Sequence, residues 1–408
     1  MNKSKTQIKK QVAMSLILAF AWLGHPQAQE IDSEAQGAES QGLLIDSVEC
    51  LGNILTSCEI IQREINLGPG DHLDEEEMKN AKTRLQLLGL FKSVSLFLEK
   101  GQARGHVVVK IQVTEGNPFF TETSLAHYLY PNFKIGSTGL GFKVGHRNLF
   151  GRGKILQMTL APGRLSIPSR NDFSGGLEYS DPHFLGLKKY FLNVSANYWQ
   201  YEYYRLFSGR PVRTNSLQTR INFGRRIFDF SYVGLGLNNY ESRTIEAPED
   251  GGSTTTYSSP TYTLSTGWNN EDDPYFPTEG GVIDLTYYLH NWKQDGRELA
   301  TQSASIVFKQ NFEIAAKQTL SIGGGYSYMA KNQAMGDSWF AKVGPEWSYQ
   351  FLRAASEKSI TDVRFFINPI TMASLEGPSR EQIDAGVILN TKDYGILRLT
   401  ATYWGDPR

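Results

Sequence analysis

After the first few tens of residues, no stretch of about 18 consecutive apolar residues occurs anywhere in the 408, which excludes a helical membrane protein. Catalytic signatures are missing as well. HExxH, GxSxG and GxxxxGK followed by Ser or Thr do not occur, and His25, His72, His106, His127, His146, His183 and His290 are scattered, so no enzyme, metal or cofactor is expected. Neither sign of charge is in excess, with 41 Lys+Arg against 42 Asp+Glu and no long basic run, so nucleic acid is not an expected partner. Cysteine is nearly absent. Cys50 and Cys58 stand eight residues apart, a spacing that fits either a small disulfide loop in an oxidising compartment or two buried thiols.

What the chain has is glycine, 39 residues, and aromatics, 7 Trp, 20 Tyr and 22 Phe, at a mean hydropathy of only -0.36. This is strand-and-turn material, and the length suits one small domain beside one large one. The N-terminus reads as a secretory signal over residues 1–28. Lys3, Lys5, Lys9 and Lys10 precede an apolar stretch from Val12 to Leu23, too short to span a bilayer, and Ala28 offers a small residue for cleavage. Residues 29–41 are polar, acidic and without period, and read as a flexible lead-in.

From residue 42 to 116 the pattern is β-α-α-β-β. Leu43, Leu44, Ile45 and Val48 suggest a strand, and Gly52-Asn53 a turn. Thr56 or Ser57 can cap a helix bearing Ile60, Ile61 and Ile65, which Gly68-Pro69-Gly70 ends. A second helix begins after Asp71 or Asp74 with the acidic turn Glu75-Glu76-Glu77, carries Met78, Ala81, Leu85 and Leu88 at helical spacing, and stops at Gly89. Strands Phe91 to Glu99 and His106 to Glu115 follow. This segment resembles a polypeptide-transport-associated (POTRA) domain, most specifically in Gly52, Asn53, Gly70, Asp71, Gly89 and Phe91 at their mutual spacing.

Beyond Asn117-Pro118 the helical period disappears and alternation takes over. Leu156, Met158 and Leu160, then Leu192, Val194, Ala196 and Tyr198, then Ile283, Leu285, Tyr287 and Leu289, and finally Leu397, Leu399, Ala401 and Tyr403 each alternate with polar or small residues. Long alternating segments, aromatic at their ends and separated by Gly, Asn and Asp, predict a transmembrane antiparallel β-barrel over 117–408. Its length suits 16 strands, with 12 or 14 open. Tyr198, Trp199, Tyr201, Tyr203 and Tyr204 read as an interfacial girdle, and the pairs Lys188-Lys189 and Arg225-Arg226 as solvated loop charge rather than head-group contacts. Gly151-x-Gly153 reads as a tight hairpin rather than a phosphate loop, and Asp181-Pro182 and Asp272-Asp273 as turn initiators rather than acids of a reaction.

Three runs carry a second resemblance. "GHRNLFGRG" with Asn148, Phe150, Gly151 and Gly153, "EYSDPHFLG" with Asp181 and Pro182, and "DPYFPTEGG" with Phe276, Pro277 and Gly280 resemble landmarks of BamA/TamA-type outer-membrane assembly factors, also called bacterial surface antigens. The resemblance implies an outer-membrane barrel of a Gram-negative bacterium with its POTRA-like domain in the periplasm. It also implies insertion, assembly or translocation of other outer-membrane proteins. Expected partners are outer-membrane lipid, unfolded outer-membrane protein clients, and periplasmic chaperones or accessory lipoproteins.

One departure bears on activity. Such proteins usually carry Val/Leu-Arg-Gly-Phe/Tyr on a loop folded into the lumen, but Trp339 to Phe351 holds no Arg, and in Val363-Arg364-Phe365-Phe366 a Phe replaces the Gly. A passive pore or structural barrel is therefore the alternative reading. If the chain handles clients, backbone edges are the reactive feature. The candidates are the strand bearing Phe91, Ser93, Ser95, Phe97 and Glu99, and the seam between the first and last barrel strands at Ser124, Thr400 and Trp404.

Overall fold

In the small region, the chain folds as β1 (Leu44–Leu51), α1 (Cys58–Arg63), α2 (Glu75–Leu87), β2 (Phe91–Lys100) and β3 (His106–Glu115), the expected order. The computed structural model describes residues 42–130, 135–161, 172–204, 211–246, 252–273, 277–330, 338–355, 360–374, 380–391 and 395–404. The signal and lead-in expected over 1–41, and Phe276, lie outside them.

Helix α2 starts where Asp74 accepts hydrogen bonds from the N–H groups of Glu76 and Glu77, at 2.9 and 3.3 Å, and its three acidic residues sit in the turn that the helix dipole favours. It ends at Gly89, whose φ of +67° a side chain would resist. Ser57 occupies the cap position of α1 but makes no side-chain cap bond. Instead the Glu115 carboxylate accepts from the N–H groups of Leu55 and Thr56, at 2.8 and 2.6 Å.

Strand β3 is central, parallel to β1 and antiparallel to β2. Its alternate residues Val107, Val109, Ile111 and Val113 are buried against Ile61, Ile65, Ala81 and Leu85 of the helical layer. Cys50 and Cys58 form a disulfide across 5.7 Å between Cα atoms, tying the end of β1 to the start of α1. The disulfide resolves the two possibilities left open by their spacing.

The large region is a closed barrel of β4 (Phe119–Tyr130), β5 (Ile135–Leu149), β6 (Lys154–Ala161), β7 (Phe173–Asp181), β8 (Tyr190–Tyr204), β9 (Pro211–Phe228), β10 (Ser231–Glu246), β11 (Thr254–Asn269), β12 (Gly280–Gln294), β13 (Arg297–Ala315), β14 (Gln318–Met329), β15 (Ser338–Ala355), β16 (Ile360–Ser374), β17 (Arg380–Thr391) and β18 (Gly395–Trp404). Fifteen strands among the described residues approximate the sixteen expected. Consecutive strands are antiparallel throughout. Because the number is odd, the first and last run in the same direction, and β18 closes on β4 in parallel.

The alternation resolves into two faces. On β12, Ile283, Leu285, Tyr287 and Leu289 point outward, and Asp284, Thr286, Tyr288 and His290 point into the lumen. The outward apolar residues are open, Leu264 at 50% and Val343 at 53%, as a lipid-facing wall requires. Inward residues include buried Asn311 and Ser321, hydrogen-bonded to one another at 2.7 Å. The girdle reading of residues 198–204 needs correction. Tyr198 faces outward, but alternation turns Trp199 into the lumen, where its ring lies 5.8 Å from that of Tyr240.

Candidate functional site

The first two barrel landmarks gather where the small region meets one end of the barrel, here the proximal end. Asn148 is buried and donates from Nδ2 to the Thr56 hydroxyl at 2.9 Å, while its Oδ1 accepts from the Gly153 N–H at 2.8 Å. Gly151 has φ +69°, and a Cβ there would collide with the carbonyl oxygen of Leu55. Its own carbonyl accepts from the Ser57 N–H at 3.0 Å. Glycine is required because two backbones touch at this point. Gly153 lies over Leu90, Ile60 and Pro182. Asp181, 2% exposed, accepts from the His183 N–H at 3.1 Å and pairs with Lys154 at 3.0 Å, which fixes the turn after β7.

That turn delivers His183 to a carboxylate that sequence reasoning missed. Glu64, 2% exposed at the end of α1, lies 2.8 Å from His183 Nε2 and accepts from Arg226 Nη1 at 3.0 and 3.2 Å. Burial pushes its carboxyl up, but the Arg226 charge and the His183 hydrogen bond outweigh this and hold it at about 2. Arg84 of α2 donates to the Glu64 carbonyl at 2.8 Å, pairs with Glu77, and reaches Asp229 in the β9–β10 turn at 3.1 Å. Lys188 donates to the Ile65 carbonyl at 2.9 Å and the Asn66 side chain at 2.7 Å, and burial pushes its ammonium down. The one available signal was Glu64 itself, a lone acid between Ile61 and Ile65 on an apolar helix face.

The small region's own landmarks are structural. A Cβ at Gly52, φ +79°, would collide with the Val113 carbonyl, and Asn53 closes its loop by donating to the Thr56 carbonyl at 3.0 Å. The Gly70 N–H donates to the Ile45 carbonyl at 2.8 Å, Asp71 accepts from the Gly68 N–H at 2.8 Å, and Phe91 belongs to the core. Cross-strand Lys110 pairs with Glu99 at 2.8 Å, and Ser93 and Ser95 are exposed. The outer edge of β2 pairs with no strand among the described residues.

The third barrel landmark goes elsewhere. Glu271 pairs with Lys309 at 3.1 Å and accepts from Asn311 at 2.9 Å, drawing the β11–β12 turn into the lumen. Gly280, φ +81°, packs against Asn270. Pro277 shares a cavity of about 230 Å³ with Lys309, Glu346, Arg364 and Arg398, so Arg364 is a wall residue of β16 rather than part of an infolded loop. Trp339 to Phe351 likewise lies within β15.

At the seam, pairing runs from Ile396 opposite Glu122 to Tyr403 opposite Leu129. Ser124 lies opposite Arg398, and Thr400 opposite Ala126, so the two expected seam residues share the lumen face two positions apart. The backbone of Trp404 ends β18.

Comparisons with known proteins agree with this architecture. A family model described as an Omp85 superfamily domain matches residues 148–363, and one described as POTRA, surface antigen variable number repeat, matches residues 44–116. Among solved structures, CdiB from Escherichia coli aligns at a TM-score of 0.60 and 9% identity, over 85% of this chain and 70% of that one. CdiB from Acinetobacter baumannii aligns at 0.53 and 12%, over 85% and 68%. BamA from Haemophilus ducreyi lacking POTRA domains 1-3 aligns at 0.46 and 12%, over 86% and 81%.

Proposed function

The chain belongs to the Omp85 superfamily, and from that premise we propose that this outer-membrane β-barrel assists insertion, assembly or translocation of other outer-membrane proteins, with its POTRA region in the periplasm. The observation that carries the reading is the pairing, in one chain, of an Omp85 barrel with a POTRA repeat. Unfolded barrel proteins are the clients, handed over by periplasmic chaperones or accessory lipoproteins.

The chemistry is that of backbone pairing. The outer edge of β2 pairs with no strand among the described residues, so an extended segment can add to it. Among the described residues the β4–β18 seam is the one parallel pair in the barrel, with slanted hydrogen bonds and a slightly less stable ladder than its neighbours. Lateral opening there would present two strand edges to a client inside the membrane, where an unpaired backbone group is costly.

A second reading, a passive or structural barrel, is favoured by the position of Arg364 in the wall and of Trp339 to Phe351 within a strand. Reconstitution of the full chain in lipid vesicles with an unfolded barrel substrate separates the two. Accelerated folding of the substrate into the membrane supports the assembly role, and rates equal to empty vesicles support the passive barrel. Leu98→Pro removes one N–H donor from the outer edge of β2 and is expected to weaken client crosslinking while the barrel still forms.

A further inference from the structure

We propose that the POTRA region is seated on the membrane, its β1–α1 loop and the proximal turn tips sinking apolar side chains into the leaflet around the barrel's proximal rim. Ile54 is 88% exposed and Leu55 54%, while the other apolar residues of this small region mostly pack into its core. On consecutive proximal turns of the barrel, Phe150 is 88% exposed, Leu185 76%, Leu187 50% and Phe228 75%. Large apolar side chains gathered at one rim mark a surface that belongs against something other than water.

The backbone holds them there. Phe150 and Leu185 have φ of +58° and +57°, the left-handed region that bulky residues avoid. Each is kept in it by the turn it belongs to, Phe150 by the Asn148 bonds and Leu185 by the Gly186 N–H donating to the His183 carbonyl at 2.8 Å. The Ser57–Gly151 bond and the tight approach of the Leu55 carbonyl to Gly151 place Ile54 and Leu55 beside Phe150, so the apolar tip is continuous from barrel to POTRA loop.

Lipid is the occupant that continuity selects. Phe223 faces outward on β9 with Ile221 and Leu217, and it carries the Phe184 ring edge-on at 6.0 Å and the Tyr190 ring stacked at 5.7 Å, so the lipid-facing wall runs without a break into the β7–β8 turn. Two charge pairs divide here. Lys188 and Arg226 turn to the POTRA region. Lys189 stays exposed, and the Arg225 guanidinium lies 5.8 Å over the Tyr190 ring. Cations beside aromatic rings at the edge of an apolar band fit the phosphate level of a bilayer. The head-group reading set aside at the sequence level thus applies to one member of each pair.

The test is photocrosslinking of the full chain in vesicles of phosphatidylethanolamine and phosphatidylglycerol, with p-benzoylphenylalanine replacing Ile54, Phe150, Leu98 or Leu264 one at a time and heat-shifted gel mobility confirming a folded barrel. Leu98, 42% exposed on β2, is the water reference, and outward Leu264 the lipid reference. Phospholipid adducts at 54 and 150 in yields like those at 264, several-fold above 98, are expected. Lys189→Glu combined with Arg225→Glu is expected to lower the adduct yield at 150 at least twofold. Yields at 54 and 150 equal to those at 98, or adducts joining two protein chains there, would overturn the proposal. Absence of lipid adducts at 264 as well would instead overturn the spanning barrel on which the proposal rests.

Discussion

The two regions use the same alternation of apolar and polar residues with opposite sign. In the POTRA region Val107, Val109, Ile111 and Val113 alternate inward onto helices and the polar face meets water. In the barrel Ile283, Leu285, Tyr287 and Leu289 alternate outward and the polar face lines the lumen. Period alone cannot tell a strand which side is oil. The difference comes from what accompanies the strands, two amphipathic helices in one region and, among the described residues, no α-helix in the other.

The sharpest way to break the comparison is to put a charge on each apolar face. Val109→Asp, at a fully buried site, is expected to unfold the POTRA region, costing on the order of 4 kcal/mol or more, as read by loss of protease resistance over residues 44–116. Between the regions, Glu64→Ala leaves Arg226 and His183 facing an uncompensated buried gap, with an expected cost of ~3–5 kcal/mol to the docked state. Its pH signature has a definite sign. With the folded carboxyl at about 2 and its ordinary value at 4.5, Glu64 stabilises fully above 4.5 and loses that contribution as pH falls toward 2. Acid titration of the wild type, followed by protease release of the POTRA region, should show this loss, and Glu64→Gln should flatten it.

In the barrel, Leu285→Arg on the outward face is expected to cost ~2–4 kcal/mol near the midplane, and Thr286→Arg on the lumen face much less, in urea unfolding from vesicles. Equal effects would mean the register is wrong. Smallest is the disulfide. Reducing Cys50–Cys58 opens a short loop and should lower POTRA stability by ~2–3 kcal/mol, with barrel unfolding unchanged.

Local features were legible in the sequence, and features that join distant residues were not. Asp74 with its acidic first turn and Gly89 mark α2 because capping is a matter of neighbouring residues. The outward faces of β6, β8, β12 and β18 were readable for the same reason. Glu64 meets Arg226 only after 162 positions of chain have folded, and nothing in the residues around either announces the other. The turn landmarks were visible as motifs. That Asn148, Gly151 and Asp181 brace the POTRA junction while Pro277 enters the lumen depends on which turns lie under the small region. Parallel closure follows from strand parity, and the length of the chain does not determine parity.

The central claim, that client insertion proceeds through a lateral opening at the seam, is tested most directly by closing it covalently. Ala126→Cys with Thr400→Cys places two thiols on directly paired lumen-face residues of β4 and β18. Insertion of an unfolded barrel substrate into vesicles is then measured with the seam oxidised and after reduction, beside wild type under both conditions to account for Cys50–Cys58. The account predicts that the oxidised protein fails to insert the substrate and that reduction restores the wild-type rate. Insertion at the full rate with the seam locked would contradict it.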